Sequence, residues 1–141
     1  MMADPAALPP AGYSGTPLWK KLGLKPGLQA TVLAAPPDYT ALISGGPAVI
    51  WGSLRPGVGF VHLFTPLRAE LAQWLGDCLA LMARDGVIWV SWPKKASRLP
   101  CDYTEDGVRA VCLPMGLVDI KVCAVSDIWS GLKLMIRKEL R

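Results

Sequence analysis

Apolar residues come in short blocks separated by glycine, proline and charge, and the densest block is Val87-Ile88-Trp89-Val90-Ser91-Trp92. On a strand, Val87, Trp89 and Ser91 point to one side and Ile88, Val90 and Trp92 to the other. A block that is apolar on both sides predicts a central strand of a parallel sheet, covered on each face. Pro93 has no N–H to give, so it is expected to end the pairing. Lys94 and Lys95 follow at the strand's carboxyl end, where open α/β sheets hold ligands.

The remaining blocks arrange themselves around this strand. A first strand is read at 29–34, a weaker second at 48–52 and a third at 59–64. Short helices are predicted at 17–22 and 39–43. Thr16 is the expected N-cap of the first, with Pro17 at its first position and Gly23 closing it; Asp38 is the expected cap of the second. The longest helix is expected over 67–84, with Leu71, Trp74, Leu75, Cys78 and Met82 making one apolar face at three- and four-residue steps. Thr104 opens a helix from Glu105 to about Leu113, and the first-turn Glu105 and Asp106 offset its dipole. Near the end, Val118, Ile120 and Val122 alternate with Asp119, Lys121 and Cys123, as Leu132, Leu134 and Ile136 do with Lys133, Met135 and Arg137. These read as two strands with one wet face each. Residues 126–131 are too few for a crossover, so the two pair antiparallel.

Alternating strands and helices closed by a hairpin predict a single α/β domain over 12–141. It is three layers thick and Rossmann-like, mostly parallel, and laid out like the carboxyl half of a methyltransferase sheet. The expected strand order is 2-1-3-4-6-5, with 2-1-3-4-5-6 as the alternative. In the first order Lys133 lies on a strand with neighbours on both sides, so one face of that strand must still reach water. Residues 1–11, rich in alanine and proline, read as a disordered tail.

Composition narrows the class. A chain of 141 residues, 52% hydrophobic and 18% charged, is a globular domain large enough for a real core. The net charge of +4 is spread over Lys20, Lys21 and Lys25, then Lys94, Lys95 and Arg98, then Arg137, Lys138 and Arg141. Nucleic-acid binding is not expected from so thin a stripe. The start of the chain lacks the basic and apolar regions of a secretory signal, and no run of about 18 apolar residues occurs. A cytoplasmic protein without a membrane segment is expected. Cys78, Cys101, Cys112 and Cys123 form no C-x-x-C pair, and there is one histidine, so no metal site is expected.

Several segments together resemble a known family. They are Gly12-Tyr13-Ser14-Gly15-Thr16-Pro17-Leu18 with Lys20-Lys21-Leu22-Gly23, then Trp89-Val90-Ser91-Trp92-Pro93-Lys94-Lys95, and Asp119 with Lys121-Val122-Cys123-Ala124-Val125. The last is Trp129-Ser130-Gly131-Leu132-Lys133-Leu134. The chain is similar over almost its whole length to the small bacterial family called domain of unknown function 3052. The resemblance implies a small stand-alone cytoplasmic α/β protein, and it brings no activity, substrate or catalytic residue.

Candidate chemistry is sparse. A methyltransferase or dinucleotide enzyme needs a glycine-rich turn after its first strand, so that the backbone can approach the cofactor. Here that turn is Ala34-Ala35-Pro36-Pro37-Asp38, which stands against an S-adenosylmethionine or NAD enzyme; no cofactor is expected. Asp38 is either a helix cap or a partner for a ribose. Lys94 and Lys95 are the best candidates for an anion site. Ser14, Gly15 and Thr16 would add donors at the start of the first helix, with Lys20 or Lys21 nearby. The competing reading is a solvated basic loop beside an ordinary capped helix.

His62 shares a strand side with Phe60 and Phe64. As a general base it would need an orienting partner such as Asp38 or Asp102; otherwise it is a core histidine bonded to backbone or one carboxylate. Trp89 and Trp92 lie on opposite faces, so Trp129 in the hairpin is the tryptophan expected to meet a ligand or partner. The first functional expectation is a non-catalytic module that binds an anionic small molecule or a protein at the strand carboxyl ends: residues 36–38, Thr65, Ser91, Lys94 and Lys95. The second is a divergent S-adenosylmethionine-type transferase using His62 or Asp102 as acid/base. The third is pairing of two copies through the sheet edge at 48–52, which makes the chain a homodimer and not a monomer.

Overall fold

The computed structural model describes residues 15–141. Ser14 and the tail read at 1–11 lie outside the described residues. Six strands form one mixed sheet: β1 (Gln29–Leu33), β2 (Ile50–Trp51), β3 (Phe60–Phe64), β4 (Val87–Pro93), β5 (Leu117–Ala124) and β6 (Trp129–Ile136). Their spatial order is β2-β1-β3-β4-β6-β5, the first of the two orders expected from the sequence. The four strands β1 to β4 run parallel, and β6 runs antiparallel to both β4 and β5.

Each face of the sheet carries its own apolar cluster. On one, α3 (Arg68–Leu81) and α4 (Glu105–Cys112) bury Leu71, Leu75, Cys78, Val108 and Cys112 against Val61, Leu63, Ile88, Val90, Leu132 and Leu134. On the other, α1 (Leu18–Leu22) and α2 (Tyr39–Leu42) cover Ala30, Phe60, Phe64 and Trp89. Trp89 is fully buried on this face, and its indole N–H donates to the Leu22 carbonyl at 3.0 Å. The bond satisfies a donor that would otherwise be costly to bury. With helices of five and four residues this second layer is thin. Lys133 lies there, opposite Trp89 and Lys121, and stays only half-buried. Burial and the neighbouring Lys121 and Lys25 lower its affinity for a proton.

Several boundaries differ from expectation for local reasons. Pro17, not Thr16, holds the N-cap position of α1, and no side chain caps that helix. The Pro17 carbonyl takes the first helical N–H bonds from Lys20 and Lys21. Asp38 precedes α2 without a side-chain cap bond. Pro93 does not end the pairing; it still lies opposite Trp129. Helix α3 stops at Leu81 because Met82 turns to extended backbone (φ −65, ψ 154) and the Ala83 N–H is drawn to the Val58 carbonyl at 2.9 Å. Thr104 caps α4 as expected, accepting from the Gly107 N–H at 3.3 Å.

The main correction concerns β5. A register shift between Asp119 and Lys121 breaks the two-residue period, so Val118 lies opposite Met135 but Val122 lies opposite Leu132. Bulges re-aim side chains in this way, most often at sheet edges. Ile120 and Val122, expected inside, are 46% and 48% exposed. Asp119 instead points to α4, where Arg109 donates to it at 2.8 Å and also pairs with Glu105 and Asp106. At the opposite edge β2 has two residues, too short to offer another sheet a ladder.

Candidate functional site at the strand carboxyl ends

The parallel strands β1, β3 and β4 end on one side of the sheet, at Leu33, Phe64 and Pro93. The connection that leaves β4 makes one wall of the crevice there. It starts at Lys94, tightens into a 3₁₀ turn over Lys95–Ser97, passes Arg98 at φ 61 and reaches α4 through Asp102 and Tyr103. Hydrogen bonds fasten it at both ends. The Lys94 N–H donates to the Ile128 carbonyl at 2.8 Å and the Asp102 N–H to the Pro66 carbonyl at 3.0 Å. The Tyr103 hydroxyl donates to the Thr65 carbonyl.

Beneath this wall is a hollow of about 470 Å³, lined among others by Lys94, Lys95, Arg98, Leu99, Asp102 and Thr104. None of its three cations has a carboxylate partner within the described residues. Asp102, the acidic residue on this wall, is engaged: its Oδ1 accepts from the Arg68 N–H at 2.6 Å, at the start of α3. A second hollow of about 370 Å³ shares Leu99 with the first and is mostly apolar, lined also by Pro36, Pro37, Asp38, Ile128 and Trp129. The Trp129 ring meets Phe64 edge-on, with ring centres 5.1 Å apart. A third, of about 340 Å³, lies between Pro66, Leu67 and Pro100.

His62 stands apart from all three. It is fully buried on β3, stacked on Phe64 with centres 4.3 Å apart. Its Nδ1 is 2.9 Å from the Tyr39 hydroxyl and its Nε2 2.8 Å from Ser91 Oγ. One hydroxyl donates and the other accepts, whichever tautomer the ring takes. Burial pushes its pKa down to about 3, so it is neutral at physiological pH. Neither Asp38 nor Asp102 reaches it. The partners expected from the sequence are thus replaced by Tyr39 and Ser91, and the ring is shut off from solvent with its basicity lowered by burial.

The other expected site residues divide sharply. Lys94, Lys95, Asp38 and Trp129 border the two adjoining hollows. Ser91 is buried with its hydroxyl on His62, and Thr65 is buried with its hydroxyl accepting from the Leu67 N–H at 3.1 Å. Neither can face a ligand. Thr16 and Lys20 line none of the three hollows. The sequence alone does not mark Arg98, Leu99 or Tyr39 as site residues. Arg98 was visible only as a third charge beside the two lysines, and nothing in the sequence pairs Tyr39 with His62, because the contact needs the β1–β3 register and α2 together.

No family model and no curated protein matches the chain. Solved structures do. A SAM-dependent methyltransferase from Aquifex aeolicus is similar with a TM-score of 0.65 at 16% identity, over 94% of both chains. The fold is that of Rossmann-like methyltransferases. LepI in complex with SAH and a substrate analogue is similar at 0.54 and 10% identity, over 86% of this chain and 47% of that one. The chain therefore spans about half the length of LepI. A ribosomal protein L11 methylase from Lactobacillus delbrueckii subsp. bulgaricus gives 0.52 and 10%, over 84% and 74%. Identities this low carry the fold and nothing finer.

Within that fold the loop after β1 has its own character. Ala34 sits at φ 54, a left-handed conformation that costs a residue with a Cβ about 1 kcal/mol, and Pro36 and Pro37 follow. Pro36 and Pro37 have no N–H to donate, and the segment 34–38 contains no glycine. No helix of the described residues is long and apolar enough to cross a membrane.

Proposed function

We propose that the chain is a non-catalytic binding module for a small anion, working at the carboxyl ends of β1 and β4. The observation that carries this reading is the convergence of Lys94, Lys95 and Arg98, all without carboxylate partners among the described residues, on one hollow. Three cations around a concave site raise the local anion concentration and hold phosphate or carboxylate oxygens by charge-assisted hydrogen bonds. Of the two acid/base candidates, His62 is sealed between Tyr39 and Ser91, and Asp102 accepts from the Arg68 N–H at the start of α3. The resemblance to domain of unknown function 3052 belongs to the same proposal and adds no activity. A cytoplasmic setting fits four cysteines that are all free thiols.

Calorimetric titration with inorganic pyrophosphate tests this. Binding by the wild-type chain, lost in Lys94→Ala/Lys95→Ala while the circular dichroism spectrum stays unchanged, is the expected result. Equal affinity in wild type and variant would remove the site.

A second reading, a divergent S-adenosylmethionine-type transferase, is favoured by the likeness to the Aquifex aeolicus structure over nearly the whole chain. It is opposed by the proline-filled loop after β1. Thermal shift separates the two. S-adenosylmethionine at a hundred times its Kd stabilises a binder by about 2.7 kcal/mol, and such a rise in Tm would displace the first reading.

A further inference from the structure

We infer that the anion held at this site carries an apolar body: the ligand is an amphiphilic anion whose charged end lies on Lys94, Lys95 and Arg98 and whose apolar end lies on Trp129, Ile128 and Pro36. The inference rests on the anion-binding reading above and names the class of ligand. Four observations support it.

The basic and apolar hollows are neighbours that share Leu99, and each, at about 470 and 370 Å³, falls within the ~300–1,000 Å³ of small-molecule sites. Their chemistry changes across Leu99, from three cations with Asp102 to prolines, isoleucine and tryptophan with Asp38. Leu99 and Ile128 are 49% and 43% exposed, so apolar side chains stand open to water at the junction. Finally, Ala34 and Arg98, the two non-glycine residues with positive φ among the described residues, lie in the two loops that border this pair of hollows. Backbone outliers of that kind gather where a loop is shaped for a ligand.

An inorganic anion would use only the cations and leave the apolar hollow to water. An uncharged apolar ligand would use none of the three cations beside it. Only a molecule with both ends satisfies the two hollows together. The apolar end is a flat ring against Trp129 and the prolines or an alkyl chain along the same wall.

Calorimetry on the full chain with inorganic phosphate, 1-naphthyl phosphate and octyl phosphate tests this and separates the two sources. At least one organic phosphate is expected to bind about tenfold or more tighter than inorganic phosphate. Naphthyl in the lead identifies a ring, octyl a chain, and either supports the inference. Ile128→Ser, a change at a half-exposed side chain, is expected to narrow the ratio between organic and inorganic phosphate to within about twofold. Lys94→Ala/Lys95→Ala is expected to weaken every probe. Equal affinity for all three probes, or an undiminished ratio in Ile128→Ser, overturns the inference while leaving the anion site standing. No binding of any probe removes the anion site itself.

Discussion

Acid should destabilise this protein through one residue. His62 is fully buried, bonded through both ring nitrogens to hydroxyls, with its pKa pushed down to about 3. In the unfolded chain the same imidazole has its ordinary pKa, near 6.5. Between these two values the unfolded state binds a proton that the native state refuses, so stability rises with pH across this window. The contribution is complete above about pH 6.5 and is lost as pH falls toward 3. At about 1.4 kcal/mol per pH unit, moving from neutral pH to pH 5 costs about 2 kcal/mol, a figure that holds for any native pKa well below 5. The Arg109 guanidinium holds Asp119 below its usual value, and stability from that pair is lost only as pH falls through the ordinary carboxylate range and below. Urea denaturation of the wild type at about pH 7.5 and pH 5 should therefore differ by about 2 kcal/mol, and His62→Gln should lose less than about 0.5 kcal/mol over the same interval. Only the pH increment matters, since glutamine also changes the packing. A wild type equally stable at both values, or a variant with the full loss, would refute the reasoning and reopen His62 as an accessible base.

Asp102→Ala should lower stability by about 1 kcal/mol in denaturant titrations, because the Arg68 N–H at the start of α3 loses its acceptor. The same change should tighten pyrophosphate binding, since it takes a carboxylate away from the basic hollow; weaker binding would contradict the electrostatic account. Gly131→Ala should cost about 1–3 kcal/mol: an added Cβ would come within 2.9 Å of Val125 Cγ2 and 3.3 Å of the Trp89 ring, both buried. A Tm equal to wild type would mean that the hairpin can yield there.

Much of the frame is legible in the sequence. The block 87–92 is apolar on both sides, which places β4 inside the sheet. The stretch read as a link over 126–131, which is only 125–128 in the structure, is too short for a crossover and makes β5 and β6 antiparallel; a hairpin inserted with β6 innermost gives the observed order. Lys94 and Lys95 could be placed at the crevice because strand polarity alone sets which end of β4 they leave. What was unreadable depends on contacts distant in sequence. The bulge at Asp119 to Lys121 depends on pairing with β6 and on Arg109 reaching from α4, so the clean alternation of 118–123 gave the wrong inner face beyond it. Asp102 looks like a free acid in a loop until α3 is seen to begin 34 residues earlier beside it. Thr65 and Ser91 have the residue types of a ligand site and the positions of one. Their hydroxyls are turned inward by the register that sets Phe64 opposite Ser91 and by the loop that follows β3.

These inward-turned groups decide what kind of binding the crevice can support. Ser91, Thr65 and Tyr103 lie along the strand ends, and each is satisfied within the fold. Little directional hydrogen-bonding capacity is left on the floor for reading a ligand's shape. Lys94, half-buried, and Lys95 and Arg98, exposed, carry long side chains whose charge works over distance. Recognition through such rim charges is screened over a Debye length of about 8–10 Å at physiological salt, so it governs encounter more than residence. Pyrophosphate affinity should therefore fall steeply with added salt. The extra affinity of an amphiphilic anion, which comes from apolar contact with Trp129 and Ile128, should persist or grow with salt. The ratio between the two, followed against ionic strength, separates the contribution of the charged wall from that of the apolar one.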